Sequence, residues 1–345
     1  MAYKSGGTEN IKDDNTVVFN KVTVKNHYTI NDADAAGQGS VSGYSTGGLL
    51  HPSSTWYNTI DKYPFSSDAN ATDVGDLSQA RTSVGVSSSS HGYTGGGWLP
   101  GRSNVIDRFP FSADANAVDV GDLILQMSSQ APAMSASHGY YMGGYTSPPF
   151  LLRNEIQRFP FAVATTNASD VGDLIQIVAS SAGHSDESYG YRTGGRMPPA
   201  DPTYGASNII ERFPFAVSST NSTDVGDLTQ RIATHAGCNS ATHGYTVGGA
   251  SDTTSTGTMY NSIQKFPFAS SANSTNVAAL VSTLKEHSAS SSTANGYTTG
   301  GATVANPLQQ SGTNVIQKFP FASDTNASDV GDLTVGRRDL GANEV

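Results

Sequence analysis

Six basic side chains recur along the chain at intervals of about fifty residues, each before an aromatic-Pro-Phe triplet. Together they could form a ring of cations that binds an anion. The alternative is a repeated ion pair with aspartates that follow in the next strand, which we favour because recurrent charges are usually structural. All except Lys265 are expected to form this pair, since the copy containing Lys265 lacks both aspartates. The column comprises Lys62, Arg108, Arg158, Arg212, Lys265 and Lys318.

Five Asp-Val-Gly-Asp-Leu motifs place two carboxylates three residues apart, as at Asp73 and Asp76. The fifth copy reads Asn-Val-Ala-Ala-Leu from Asn276 instead. Such carboxylates could contribute to a calcium site, although calcium prefers a longer loop with more oxygen ligands. Capping of a turn by the aspartate explains the motif better. We therefore expect no cofactor, with calcium as the alternative.

Histidines precede a Gly-Tyr pair in three copies, at His91, His138 and His243. Three imidazoles around one channel could hold zinc. The copies that carry them are not all adjacent, and a wide channel would keep them apart. We therefore predict no metal site.

Asn-x-Ser/Thr sequences recur in five copies and would be glycosylation acceptors in a secretory protein. Turns stabilised by the asparagine and hydroxyl side chains explain them better, because the opening residues resemble no secretion signal. The asparagines are Asn70, Asn167, Asn221, Asn273 and Asn326.

One loop of each copy differs in length and sequence, and these loops contain both tryptophans of the chain. Variable loops on a rigid scaffold are common sites of recognition. Aromatic rings with polar neighbours suit a glycan or a protein receptor, although packing within the loops is the alternative. The candidate ligand-binding residues are Trp56, Tyr57, Trp98, Tyr145 and Tyr204.

No nucleophile paired with a base, phosphate-binding loop or zinc motif is recognisable, so we predict that the protein is not an enzyme. The formal net charge of −10 and the scattered basic residues argue against nucleic-acid binding. Cys238 is the only cysteine, which excludes a disulfide within the chain. No apolar run approaches the roughly 18–20 residues that cross a bilayer, so we expect no membrane insertion.

These residues must be positioned by a repeated element. A Gly-Tyr-x-x-Gly-Gly motif starts six times, with spacings of 49, 47, 51, 54 and 52 residues. Each copy continues with Asn-x-Ile-x-x-aromatic-Pro-Phe and then, in five of the six copies, with the aspartate motif. Such periodicity predicts a closed repeat array. The copies start at Gly43, Gly92, Gly139, Gly190, Gly244 and Gly296.

The three motifs fit three strands of a four-stranded blade. The residues before Gly-Tyr, for example residues 231–237, would be the innermost strand a, and Gly-Tyr-x-x-Gly-Gly would be strand b. Strand c should end at its proline, because proline cannot donate to the ladder. Its flanking aromatics should pack between blades. Residues 335–345 repeat the start of a strand a and are predicted to close the first blade beside residues 43–48.

A tyrosine with a double glycine, a variable loop and an Asn-x-hydrophobic strand resemble the kelch repeat. This resemblance implies one four-stranded blade per copy, hence an all-β, six-bladed β-propeller over residues 36–345. The tryptophan usual in the fourth kelch strand is replaced by the aspartate motif, so the repeats are kelch-like. A seven-bladed array is the alternative architecture. Residues 1–35 would form a short N-terminal β extension, because residues 16–24 alternate in polarity.

The opening residues 3–9 and the Ser/Thr/Asn-rich repeats are similar to virion proteins of marine bacteriophages, namely tail-fibre or decoration proteins. This resemblance implies a non-enzymatic structural or receptor-binding component of the virion, assembled in the host cytoplasm. Residues 1–35 would bind other virion proteins, while the propeller would contact a host glycan or protein receptor, and a homo-oligomer is possible. The alternatives are an intracellular kelch scaffold that recruits a protein partner and, less favoured, a sugar-active enzyme.

Overall fold

The computed structural model describes residues 38–146, 151–163, 165, 167–198, 205–217, 220–252, 257–304 and 312–345. These residues form six antiparallel sheets and no helix, so the predicted six-bladed β-propeller is confirmed. The predicted β extension in residues 1–35 lies outside the described residues. No helix long and apolar enough to cross a membrane occurs within these ranges.

Each blade contains four strands, lettered a to d from the channel outward. The inner strands a are Gly341–Glu344, Val84–Ser87, Ala131–Met134, Ala182–Ser185, Ala236–Asn239 and Ser288–Ser291 in blades 1 to 6. Strands b are Ser42–Thr46, His91–Gly95, His138–Thr146, Tyr189–Thr193, His243–Val247 and Asn295–Thr299. Strands c are Thr59–Pro64, Val105–Pro110, Leu152–Pro160, Ile209–Pro214, Ser262–Pro267 and Val315–Pro320.

Strands d are Thr72–Asp76, Val118–Asp122, Ser169–Val178, Thr223–Asp227, Thr275–Ala279 and Ser328–Asp332. Blade 3 has a fifth short strand, Met127–Ser128, and two small hairpins precede strand c in blades 1 and 2. The hairpins pair Leu49–Leu50 with Thr55–Trp56, and Trp98–Leu99 with Gly101–Arg102. Every strand c ends at its proline, as predicted.

The first blade is closed by the carboxyl-terminal strand, as predicted. Gly341–Glu344 pairs antiparallel with Ser42–Thr46, and Gly43 lies opposite Glu344. The carbonyl oxygen of Val345 accepts backbone N–H bonds from Ser40, Val41 and Ser42 at 2.8, 2.6 and 3.1 Å. The two distant parts of the sequence therefore complete the sheet of the first blade and close the ring.

The predicted start of strand a is wrong, because the strand begins later in the sequence. In blade 5 the strand covers Ala236–Asn239 rather than residues 231–237. Thr234 adopts a left-handed φ of 55° and donates its N–H to Ser180 of the preceding blade at 2.8 Å, so it leaves the ladder. Equivalent bonds link Ser180 to Ser129, Glu286 to Thr234, and Asp339 to Glu286. A backbone hydrogen-bond belt thus joins successive blades at one mouth of the channel.

Aromatic rings fill the space between neighbouring blades, as predicted. At the first interface, Phe109 and Phe111 of blade 2 pack against Tyr44 of blade 1 at centroid distances of 5.4 and 5.1 Å. The same triad recurs at the other five interfaces. Glycine precedes each of these tyrosines because the ring of strand c covers it: a Cβ on Gly92 would lie 2.3 Å from Phe109.

A second column of interface residues lies one position after the isoleucine that recurs in strand c of every blade. Each of these side chains accepts one backbone N–H from the preceding blade. The donor is the residue that follows the leucine of the aspartate motif, or of the Asn-Val-Ala-Ala-Leu sequence in blade 5. Ser78 donates to Asp107 at 3.1 Å, for example, and Ile124 donates to Gln157 at 2.8 Å. The column comprises Asp61, Asp107, Gln157, Glu211, Gln264 and Gln317.

The charge of this buried column follows the presence of an arginine. Asp107 pairs with Arg81 at 2.8 Å, and both side chains are fully buried. Asp61 pairs likewise with Arg337, and Glu211 with Arg192 from strand b. Glutamine replaces the acid in the three blades that have Met127, Ile232 or Leu284 where Arg81 would stand. An unpaired buried charge would be costly, and the sequence avoids it in each blade.

We expect Arg81→Met to lower the free energy of unfolding by about 3–5 kcal/mol, because Asp107 would be left buried without its cation. Adding Asp107→Gln should recover most of this loss, since blade 3 uses Met127 with Gln157 at the same positions. Denaturant unfolding of the single and double variants measures both effects. A double variant as unstable as Arg81→Met would contradict the charge-matching explanation.

Candidate functional site

The two ends of the propeller differ in how regular they are. The a–b and c–d connections emerge at one end, which we call the uniform face. The b–c and d–a connections emerge at the other, which we call the variable face. Turns on the uniform face repeat the same contacts: the Ser88 N–H bonds the His91 carbonyl at 2.9 Å, and Ser135, Asp186, Ser240 and Ser292 start equivalent turns.

On the uniform face, the recurrent asparagines join the blades. Asn116 Oδ1 accepts the N–H of Asp76 in the preceding blade at 3.0 Å. The other five blades have the same bond, from Asn167, Asn221, Asn273, Asn326 and Asn70. The sequence-based explanation by local turns is therefore wrong, because the amide contacts the neighbouring blade. Asn116 lacks a hydroxyl residue two positions on, so the blades share the amide rather than the glycosylation pattern.

The aspartate motifs act as turn caps, as predicted. Asp73 Oδ1 accepts the N–H of Gly75 at 3.2 Å, and the other four motifs repeat this bond. They lie on the outermost strand, where charge also discourages edge-to-edge pairing with another chain. No three acidic, histidine or cysteine side chains come together as a metal site in the described residues.

The predicted partners of the basic column are wrong. Lys62 pairs with Asp114 at 3.1 Å, and Lys318 pairs with Asp68. These acids belong to the c–d loop of the next blade around the ring, not to the aspartate motif. Lys265, expected to be unpaired, bonds Asp324 in the same way at 2.8 Å. The blade-to-blade stagger brings the loop, rather than strand d, opposite the lysine.

The arginines of this column occur where the next loop lacks an acid. Residues 162–167, 216–221 and 269–273 contain no aspartate or glutamate. Arg212 lies 4.4 Å above the ring of Tyr189. Arg108 and Arg158 lie beside Tyr93 and Tyr140, where each cation opposes the rise in tyrosine pKa that burial causes. The lysines thus bond a carboxylate of the next blade, whereas the arginines contact tyrosines of their own blade. The column does not converge on the channel.

The three histidines considered for zinc lie in separate a–b turns. His91 Nδ1 is 2.8 Å from Ser90 Oγ, and His138 and His243 have the same contact with Ser137 and Thr242. Partial burial and the nearby Arg108 lower the pKa of His91. These imidazoles therefore stabilise turns one blade at a time.

Three other histidines are buried around the channel, and the sequence reading missed them. Burial lowers the pKa of His184 to about 4, and the pKa values of His235 and His287 to about 3. His184 Nε2 lies 3.1 Å from Thr193 Oγ1, and His235 Nε2 lies 3.0 Å from the Thr193 carbonyl. His235 and His287 directly precede strand a, a position filled by Gln130 and Ser181 in other blades, so no repeated pattern marked it. His184 lies within strand a itself.

The central channel encloses a cavity of about 150 Å³. Small residues of strand a line its narrow middle, because the inner strands meet there: a Cβ on Gly183 would lie 1.6 Å from the carbonyl oxygen of Pro132. Gln38 lies at the uniform end and donates to the carbonyls of Asn239 and Ser292 at 3.2 and 2.9 Å. The lining includes Gly85, Pro132, Gly183, Gly237, Ala289 and Ala342. Larger polar side chains, among them His184, His235 and Glu344, also line it.

The variable face holds a continuous arc of aromatic and cationic side chains over blades 1 to 4. Trp56 and Trp98 pack edge to face with centroids 5.7 Å apart, and Trp98 remains 40% exposed. Arg102 is the cross-strand partner of Trp98. Its guanidinium lies 5.8 Å from the ring centroid of Tyr145, and that of Arg196 lies 5.6 Å from the same centroid.

The structure thus brings three of the five candidate ligand residues together. Tyr57 is half-buried and anchors its loop through its backbone, which bonds Gly48 and Arg81. Tyr204 lies outside the described residues. Sequence reasoning did not select Arg102, because only the folded hairpin places it between Trp98 and Tyr145.

Neither the protein-family models nor the curated proteins include a match to this chain. The function must therefore be argued from the geometry.

We expect His287→Gln to reduce the acid sensitivity of the fold. The folded pKa of His287, about 3, is below the ordinary 6.5, so its stabilising contribution is complete above pH 6.5 and is lost as pH falls toward 3. Each such histidine costs about 1.4 kcal/mol per pH unit in this window. Glutamine, present as Gln130 in blade 3, does not titrate. Thermal unfolding between pH 7 and about 4 measures the difference.

His138→Gln is the matched control, because this turn histidine is only partly buried. It should leave the pH dependence nearly unchanged. Equal effects of the two variants would mean that burial at His287 does not cause the acid sensitivity.

Proposed function

We propose that the protein is a non-enzymatic structural and binding protein that is held through its uniform end and recognises a ligand with its variable face. The supporting observation is the contrast between these two ends. The c–d loops of the uniform face repeat one side-chain bond between blades six times. The b–c loops of the variable face differ in sequence from blade to blade and carry the half-buried aromatic and cationic arc, of which Trp98 is exposed.

The position of the chain entry agrees with this arrangement. Gly39 bonds Ser291 at 2.8 Å, and Gln38 lies over the channel, so the chain enters the propeller at the uniform end. The first described residues therefore lie at the end opposite the arc, which agrees with attachment through the uniform end.

We propose further that the protein is a component of a bacteriophage virion, either a tail fibre or a decoration protein. The similarity of residues 3–9 and of the Ser/Thr/Asn-rich repeats to such proteins supports this assignment. A fold closed by strand pairing and packing, with Cys238 as the only cysteine, suits assembly in a reducing cytoplasm. An intracellular scaffold is the second candidate, favoured by the same exposed arc, since loops on this face of a propeller could also hold a protein partner.

We expect the full-length chain to co-purify with virus particles and to bind their host cells. Trp98→Ala should weaken cell binding roughly tenfold or more, because an exposed aromatic at a recognition centre contributes strongly. Thermal unfolding should change little, since Trp98 is 40% exposed. Binding measured per folded molecule tests the claim.

Val118→Ala, an exposed apolar change on strand d, is the control and should not alter binding. Deletion of residues 1–37 should abolish co-purification with particles while cell binding persists. Unchanged cell binding by Trp98→Ala would reject the variable face as the recognition surface, and absence from purified particles would reject the virion assignment.

A further inference from the structure

The side-chain chemistry of the arc on the variable face limits the class of ligand that it can bind. It alternates flat apolar surface with guanidinium groups in the order Trp56, Trp98, Arg102, Tyr145, Arg196. Indole rings provide stacking surface for a sugar ring. A guanidinium provides a planar fork of donors that matches a carboxylate or sulfate.

Both arginines are held in place by contacts within the protein. Arg102 donates from Nε to Ser128 Oγ at 2.8 Å, and partial burial lowers its pKa. The backbone of Arg196 bonds Ala179 in both directions, at 2.6 and 3.1 Å. The ring of Tyr145 lies 5.8 and 5.6 Å from the two guanidinium groups and limits the orientation of each fork. Such preorganisation reduces the entropy lost on binding.

Arg196 has no carboxylate within ion-pair distance in the part of the chain that the structure describes. This distinguishes it from the other cations near this face, since Arg153 contacts Glu155 and Arg338 contacts Glu286. A cation fixed on an aromatic ring without an internal acid can accept an external anion at little rearrangement cost.

The charge of the rest of the molecule favours binding of an anionic ligand at the arc. The net charge is −10, and ten aspartates of the five aspartate motifs lie on the outer strands. An anionic polymer would be repelled from that rim and attracted to the arginines of the arc. The arc also runs across four blades, so it suits several units of a chain better than a single small molecule.

We propose that the arc binds an anionic glycan, with sugar rings stacked on Trp56 and Trp98 and carboxylate or sulfate groups bound by Arg102 and Arg196. This inference rests on the proposed recognition role of the variable face and specifies its ligand class. A protein receptor is the alternative ligand, and the experiment must distinguish it from a glycan.

The experiment measures binding of the full-length protein to three soluble polymers at low and high salt. Polygalacturonic acid offers carboxylates only, dextran sulfate offers sulfates only, and unmodified dextran is the neutral control. We expect binding to at least one anionic polymer, no binding to dextran, and loss of affinity as salt rises. Which anionic polymer binds identifies the acidic group.

Arg196→Gln should weaken that binding about tenfold or more, because it removes charge-assisted hydrogen bonds. The affinity of Arg196→Lys should lie between those of Arg196→Gln and the unmodified protein, since lysine retains the charge but lacks the planar fork. Arg158→Gln removes the same charge from the uniform face and should bind as the unmodified protein does. Circular dichroism and thermal unfolding establish that each variant is folded.

Equal loss in Arg196→Gln and Arg158→Gln would reduce the effect to net charge and overturn the site. Equal binding to dextran would overturn the requirement for an anion. Host-cell binding that depends on Trp98 without binding to either anionic polymer would reject the glycan inference while leaving the proposed recognition role intact.

Discussion

The contact between neighbouring blades is the interaction on which the whole structure depends. A single four-stranded sheet has two faces and no core of its own, so it is stable only when both faces are covered. Here each interface is built from the same parts: a tyrosine of one blade under two aromatic rings of the next, and a backbone N–H bonded to a side chain of the next strand c. Closing the ring through residues 341–344 covers the last exposed face.

These repeated interfaces explain why the buried charges are distributed as they are. A hydrogen-bond acceptor after the recurring isoleucine is needed in every blade, but that acceptor does not need to be charged. Asp107 is acidic beside Arg81, whereas Gln157 is neutral beside Met127. The exposed column obeys a similar rule, since Lys62 faces Asp114 while Arg212 stacks on Tyr189. Among the described residues, each of these charges is therefore met within its own blade or by a neighbouring blade.

The uniform architecture also frees one end of the molecule to vary. The c–d loops join neighbouring blades through asparagine side chains, so changes there would affect stability directly. At the other end the blades are joined by backbone groups, for example from Gly48 N–H to the Arg81 carbonyl at 2.8 Å. The side chains of the b–c loops can therefore differ without opening the ring. An aromatic and cationic surface such as Trp98, Arg102 and Tyr145 can be built across several blades because the rigid sheets beneath fix the distances between its parts.

The sequence by itself determined the number of blades, the strand pattern, the closing strand and the aromatic packing, because these features are written as motifs repeated at a regular period. Tertiary structure decided which residues meet across the repeats. The partner of Lys62 is Asp114 rather than Asp73, and Asn116 bonds the preceding blade rather than its own turn. The sequence indicated Trp56, Trp98 and Tyr145 as members of variable loops, but not that they form one arc with Arg102, since the members come from different copies. Repeat periodicity fixes what each blade contains, but the stagger and tilt between blades fix what touches, and that geometry arises only when the ring closes.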